Sequence, residues 1–406
     1  MKKLTFLMIL LISSLVYGND SGLIYGTVKT EDGEIFKGNI RWDDEEIMWM
    51  DFFNSNKEEN EYEDIVPDTR SRKEKKKTFV IGGFKVFTDK TDSHFFFSST
   101  THQFQSMFGD IDRIEVVGSD AAIVHMKNGK KYDFEGGSND LGTTIRIMDH
   151  ELGTVKLNWS KIKEVQFDDT PSRLDSKFGE PLYGKLETDA GIFEGYIIWD
   201  KEERISSDKL DGDTKNGEMS IEFGNIKSIE RDGRGVEVTL KSGRDFYMKG
   251  TNDVNSDNRG IIVNIPEMGR IECQWREFRK VTFFDKPAKD LPEYDDFEKD
   301  GQLKGVVETE DDKSFEGNII YDYDEAYGYE VLNGSKDDIS YSIPFKFIKS
   351  IKPKNFNSSY ITLRNGKEIV LGDERDVSDE NSGILVSKGD EYEKIDWEDI
   401  KEITFK

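Results

Sequence analysis

One block of sequence recurs three times along this 406-residue chain, and recurrence on that scale restricts it to folds that build one unit several times over. The stretch from Gly26 to Asp43 returns from Gly184 to Asp200 and again from Gly305 to Asp322. Phe36, Gly38 and Trp42 match Phe193, Gly195 and Trp199, then Phe315, Gly317 and Tyr321. Each copy later reaches a second block, built on Ile123 to Tyr132, Val236 to Phe246 and Tyr360 to Ile369. Each closes alike, from Trp159 to Phe167, Trp275 to Phe283 and Trp397 to Phe405. The halves of a copy also share a cadence. Phe108 to Ile114, Phe223 to Ile229 and Phe345 to Ile351 end the first halves with the same aromatic, short turn and Ile-x-x-Ile pattern. The array therefore reads as three segments of about 110–120 residues, at 19–170, 180–286 and 300–406, each made of a small unit used twice. Asp168 to Pro181 and Asp285 to Pro292 read as linkers.

The unit is a β unit. Val236 to Leu240 and Ile361 to Leu363 alternate apolar and polar residues, the mark of a half-buried strand. Gly33, Gly243 and Gly366 sit where tight hairpin turns need positive φ. Gly38, Gly195 and Gly317 inside the second strand predict a bulge or sharp bend where a small sheet curls. The closing Trp-x-x-Ile-x-x-Val-x-Phe predicts one helical turn before a last strand. No helix-length amphipathic pattern interrupts this, so the expected class is all-β.

The hairpin around the turn glycine, the bent second strand and the one-turn helix before the closing strand together resemble the small five-stranded barrels of the SH3-like and Sm-like superfolds. The likeness implies two such barrels per segment and carries no activity with it. One β-sandwich per segment is the competing architecture, since about 110 residues is also a normal domain size.

Lys2, Lys3 and the apolar run from Leu4 to Val16, followed by Gly18, read as a signal peptide over residues 1–18. That run is shorter than the roughly 20 residues that span a bilayer, no later stretch spans, and no cysteine follows it to take a lipid. The expectation is an exported protein, periplasmic or extracellular, without a transmembrane segment or lipid anchor. With 83 acidic against 57 basic residues and a net charge of -26, a nucleic-acid partner is not expected, because phosphate contacts need Lys and Arg patches. One cysteine excludes an intrachain disulfide framework.

Recurrence assigns most conspicuous residues to packing. Trp42 and Trp199 share one repeat position, and Trp159, Trp275 and Trp397 another. Cys273 matches Leu157 and Ile395, so it reads as a buried small hydrophobe. His94, His102, His125 and His150 show no metal-ligand spacing, and no nucleophile elbow, P-loop or dinucleotide motif occurs. No catalytic residue or organic cofactor is assigned. Asp211, Asp213, Asn216 and Glu218 put hard oxygen donors on a glycine-containing loop, a partial calcium motif with Lys215 in place of a ligand.

The first segment carries an insertion over about residues 50–105. It turns basic at Arg70, Arg72, Lys75, Lys76 and Lys77, then aromatic through Phe84, Phe87 and Phe96. Those eight residues are the candidate partner-binding set, because long insertions in compact domains are often functional. The other reading is a hairpin covering a barrel edge. The expected function is a non-catalytic binding or structural protein of the bacterial cell envelope, presenting β modules to a protein or glycan. A hydrolase with a carboxylate-based site is the alternative.

Overall fold

The computed structural model describes residues 19–57, 62, 79–81, 84–86, 102–136, 140–285, 291–297, 299, 301–389 and 391–406. The chain is all-β. Its 3-10 turns are three residues long, and the rest of its regular structure is antiparallel strand. The leader-like residues 1–18 lie outside the described residues, as do Arg70, Arg72, Lys75, Lys76, Lys77, Phe87 and Phe96.

Ten strands carry the first segment: β1 (Tyr25–Thr30), β2 (Ile35–Trp42), β3 (Phe52–Lys57), β6 (His102–Met107), β7 (Ile111–Val116), β8 (Ala121–Met126), β9 (Lys131–Glu135), β10 (Thr144–Asp149), β11 (Gly153–Asn158) and β12 (Ile162–Phe167). They pair in the order β11-β10-β2-β1-β12-β7-β8-β9-β3-β6. The last strand therefore lies between the first strand and β7, and β10 lies against β2. Consecutive halves do not pair as separate units. They exchange strands, because the second half supplies β10, β11 and β12 to the first hairpin.

The third segment repeats this order. It holds β23 (Lys304–Thr309), β24 (Ser314–Tyr321), β25 (Val331–Lys336), β26 (Ile339–Pro344), β27 (Ile348–Asn355), β28 (Ser358–Leu363), β29 (Glu368–Gly372), β30 (Ile384–Lys388), β31 (Glu391–Ile395) and β32 (Ile400–Phe405). Its first strand pairs with its last and β24 pairs with β30. In the second segment β13 (Tyr183–Thr188) pairs with β14 (Gly191–Ile198) and with the closing β22 (Phe278–Phe284), while β20 (Ile261–Ile265) lies on β14. Its β15 (Lys209–Thr214) and β16 (Gly217–Glu222) form a two-stranded hairpin.

The bent second strand follows from glycine. β2 pairs with β1 through Ile35–Asn39 and with β10 through Gly38–Trp42, so it changes partners at Gly38. Gly38 faces Gly26 across the first pairing, as Gly195 faces Gly184 and Gly317 faces Gly305. A Cβ on Gly38 would lie 2.0 Å from the Met148 carbonyl oxygen, and on Gly317 2.2 Å from that of Ser387. Two backbones cross there with no room for a side chain.

Aromatic side chains fill each curl. Trp42 meets Trp159 edge to face at 6.0 Å, Trp199 meets Trp275 at 6.3 Å, and Tyr321 meets Trp397 at 6.1 Å. Such pairs add roughly 0.5–1.5 kcal/mol to the area they bury. One-turn 3-10 helices precede β12 and β32 at Trp159–Lys161 and Trp397–Asp399, the short helical turns expected there. Cys273 is fully buried in this core.

The segments are not beads on a string. β21 (Gly269–Cys273) pairs with β26 across the second linker, and one hydrophobic core runs unbroken through the second and third segments. The linker itself packs down. Tyr294 packs its ring, tilted by 36°, against Trp49 at 4.4 Å and donates its hydroxyl to the Ile111 carbonyl at 2.8 Å. In the first segment, residues 58–101 separate β3 from β6, where residues 215–216 suffice between β15 and β16. Within that insertion β4 (Phe79–Ile81) and β5 (Phe84–Val86) form a hairpin that pairs Ile81 with Phe84.

Gly38→Ala should destabilise the protein by ~3 kcal/mol or more, since the clash is with backbone rather than a movable side chain. Gly301→Ala, where nothing lies within 4 Å of the new carbon, should leave urea unfolding unchanged. Equal midpoints for the two variants would contradict the close crossing.

Candidate functional site

Two arrangements stand out: an acidic loop built alike in each segment, and a cavity where the three segments meet. The loop begins where the second strand ends. Asp43, Asp200 and Asp322 follow Trp42, Trp199 and Tyr321 and adopt positive φ of 49°, 49° and 47°. Aspartate tolerates that region better than most residues because its short side chain bonds locally. The loop is closed by a second carboxylate. Asp51 accepts hydrogen bonds from the Ile47 and Met48 N–H groups, both at 2.8 Å. Asp208 does the same for Arg204 and Ile205, and Glu330 for Ala326 and Tyr327.

A third acid reaches in from the loop before β10, β20 or β30. The Asp140 carbonyl accepts the Trp42 indole N–H at 3.0 Å, and that of Asp253 accepts the Trp199 indole at 2.9 Å. The Asp376 carbonyl accepts the Tyr321 hydroxyl. Their carboxylates accept the backbone N–H of Asn54, Asp211 and Asn333 at 2.6, 2.8 and 2.7 Å. Glu46, Glu203 and Glu325 complete each group, and the Oε2 of each is buried without a hydrogen-bond partner. Burial drives these acids toward the protonated form. Glu203 is pushed up to about 9 by burial, then by Asp253 and Asp200, and Asp253 is pushed up to about 6. Burial, then the Asp140 charge, holds Glu46 well above the usual carboxylate range.

Among the described residues, Asp200, Glu203 and Asp253 form the one group of three carboxylates whose ligand oxygens lie within 4.8 Å of one another, a spacing one metal ion bridges. Arg259 already supplies a positive charge there, 2.9 Å from Asp200.

The loop-closing carboxylates also join the segments. Asp51 and Arg204 form a fully buried ion pair at 2.9 Å between the first and second segments, with Asn264 donating to the same carboxylate at 2.6 Å. Arg41 returns the contact, gripping Asp208 with both nitrogens at 2.8 and 3.0 Å. Lys57 of the first segment bridges Glu330 at 2.6 Å and Asp324 at 3.0 Å in the third.

The junction encloses a cavity of about 1210 Å³. Its floor is apolar, with Met50, Met107, Tyr196, Leu291 and Phe345 buried beneath it. Its rim is charged, with Lys304, Arg364 and Lys406 exposed beside Glu267 and Glu293.

The calcium candidates lie elsewhere. Asp211 and Asp213 are exposed on β15, with Asp213 opposite Glu218 of β16 and Asn216 in the turn between. Asp211, Asp213 and Glu218 do not converge to metal-ligand spacing. Phe84 lies on the β4–β5 hairpin; the other seven partner-binding candidates lie outside the described residues. Cys273 is buried and its thiol is pushed up by burial, away from the thiolate. His125 is buried beside Glu115 and Arg113 on β8, a strand paired on both sides.

The acidic loops carried a sequence signal, since Trp/Tyr-Asp-x-Asp/Glu-Glu recurs at residues 42–46, 199–203 and 321–325. The cavity carried none, because its lining comes from three segments and a linker. No protein-family model matches the chain, and no curated protein or solved structure matches it.

Glu203 binds its proton in the folded state at pH values where the unfolded chain has released it. Its effect on stability is therefore fully favourable below about 4.5 and is lost as pH rises toward about 9. Glu203→Gln should raise stability by ~1–3 kcal/mol at pH 8, a gain that fades toward pH 4.5. Melting temperatures across that range decide it, and a pH-independent difference would sink the assignment. Arg204→Met should cost ~3–5 kcal/mol by stranding Asp51, whereas Lys401→Met at an exposed pair should cost under ~1 kcal/mol in the same unfolding assay.

Proposed function

We propose that the chain is a non-catalytic binding protein of the cell envelope, exported by the leader-like residues 1–18, whose ligand seats in the cavity at the junction of the three segments. The observation that carries this reading is the composition of the cavity: a buried apolar and aromatic floor under a rim of opposite charges, contributed by all three segments and the chain between β22 and β23. Pockets of that kind bury the body of a ligand and orient it by a few polar groups. We read the segments as interlocked small barrels of SH3-like kind, held together so that the cavity has one shape. The strongly raised carboxylates support binding over hydrolysis, because they sit in the strand-end loops and do not line this cavity.

Gly301 offers a direct test, since it lines the cavity and nothing lies within 4 Å of where a side chain would start. Gly301→Trp should fill the space without lowering the melting temperature. Capture of soluble envelope glycans or peptides by the native protein should weaken at least tenfold in this variant. Unchanged capture would move the ligand elsewhere, and turnover of the captured material would replace binding by hydrolysis.

A further inference from the structure

A second, smaller pocket of about 130 Å³ lies on the seam between the first and third segments, apart from the junction cavity. Five carboxylates line it: Asp322, Asp324, Glu325, Glu330 and Asp376. Two cations face them. Lys57 is taken up by Glu330 and Asp324, and Arg375 by Asp322. Glu325 and Asp376 feel these cations from farther away, because the direct ion pairs go to Glu330, Asp324 and Asp322. The Glu325 Oε2 is buried and has no hydrogen-bond partner. Asp376 uses one oxygen to accept the Asn333 N–H at 2.7 Å.

An independent observation comes from the first segment. Gln105, on β6 of the first segment, lines the same pocket and is 4% exposed. Its amide nitrogen donates to Asn54 at 2.8 Å, which leaves the carbonyl oxygen to find a partner elsewhere. That Oε1 is buried and has no partner. A buried amide oxygen with no donor to satisfy it costs ~1–3 kcal/mol. A cation satisfies the oxygens of both segments at once.

We propose that this pocket binds one divalent cation of the calcium class, held by Glu325 and Asp376 of the third segment and the Gln105 carbonyl of the first. All donors are oxygen, and no sulfur or imidazole lines the pocket, which selects a hard cation over zinc or copper. Calcium suits the mixture of carboxylate and neutral carbonyl better than magnesium, because it accepts irregular sets of six to eight oxygens. The pocket has space for the ion and a few waters, each needing about 30 Å³. The ion also ties the first segment to the third beside the Lys57 bridge, so binding stabilises the seam.

The test uses the full-length protein stripped with a chelator and titrated with calcium chloride by calorimetry and thermal melting. Glu325→Gln keeps the shape and removes the charge, and Gln105→Met removes the amide oxygen contributed across the seam. Each should weaken calcium binding at least tenfold and abolish the calcium-dependent rise in melting temperature. Asp211→Asn with Asp213→Asn, on the exposed hairpin, should leave both readings unchanged. If Glu325→Gln melts early without calcium, Gln105→Met alone decides. No calcium binding by the stripped protein, or equal affinity in Gln105→Met, overturns the proposal. Loss of binding only in the hairpin variant overturns it in favour of the β15–β16 loop. None of these outcomes depends on the ligand of the junction cavity.

Discussion

The pairing of each segment's last strand with its first is the constraint on which the rest depends. β12 on β1, β22 on β13 and β32 on β23 bring residues 90 or more positions apart into register. Long-range antiparallel pairing must overcome loop-closure entropy before it gains anything, so it needs a strong local reward. The Trp and Phe residues of the closing strand supply it. Trp159 and Phe167 both meet Trp42, and Trp397 meets Tyr321 across the same curl. Once the ends are joined, β2 must serve two partners, and the facing glycines allow its backbone to pass close to β10.

That geometry explains why acids collect where they do. Bending the second strand ends it in a tight loop with a left-handed aspartate, and such a loop leaves backbone N–H groups that the strands cannot satisfy. Carboxylates at 51, 208 and 330 accept them, and carboxylates at 140, 253 and 376 accept the N–H of the third residue of β3, β15 and β25. Groups needed to satisfy buried donors become buried charges, which demand counter-charges. Neighbouring segments provide these as Arg204, Arg41 and Lys57. The seams between segments are thus a consequence of how each loop closes. Removing one partner of a buried pair strands the other, so assembly and local folding stand or fall together.

The sites divide along the same line. Within a loop, the spacing of Trp/Tyr, Asp and Glu is local, and it is visible as a recurring pattern in the chain. The large cavity and the small seam pocket are made between segments. Met50, Tyr196 and Phe345 are ordinary apolar residues of three different strands or turns, and Gln105 is an unremarked residue in a strand next to the long insertion.

The sequence by itself determined the all-β class, the positions of most strands, the bent glycine strand and the inward placement of Trp42, Trp199 and Cys273. These follow from period-two alternation, turn glycines and recurrence, which act over a few residues at a time. Only the tertiary structure decided that the halves of a segment exchange strands, that Tyr294 packs onto Trp49, and that Gln105 and Glu325 line one pocket. Those contacts join residues far apart in the chain through shape and buried charge. A linear pattern records which residues a strand turns inward, but not which other strand they will meet.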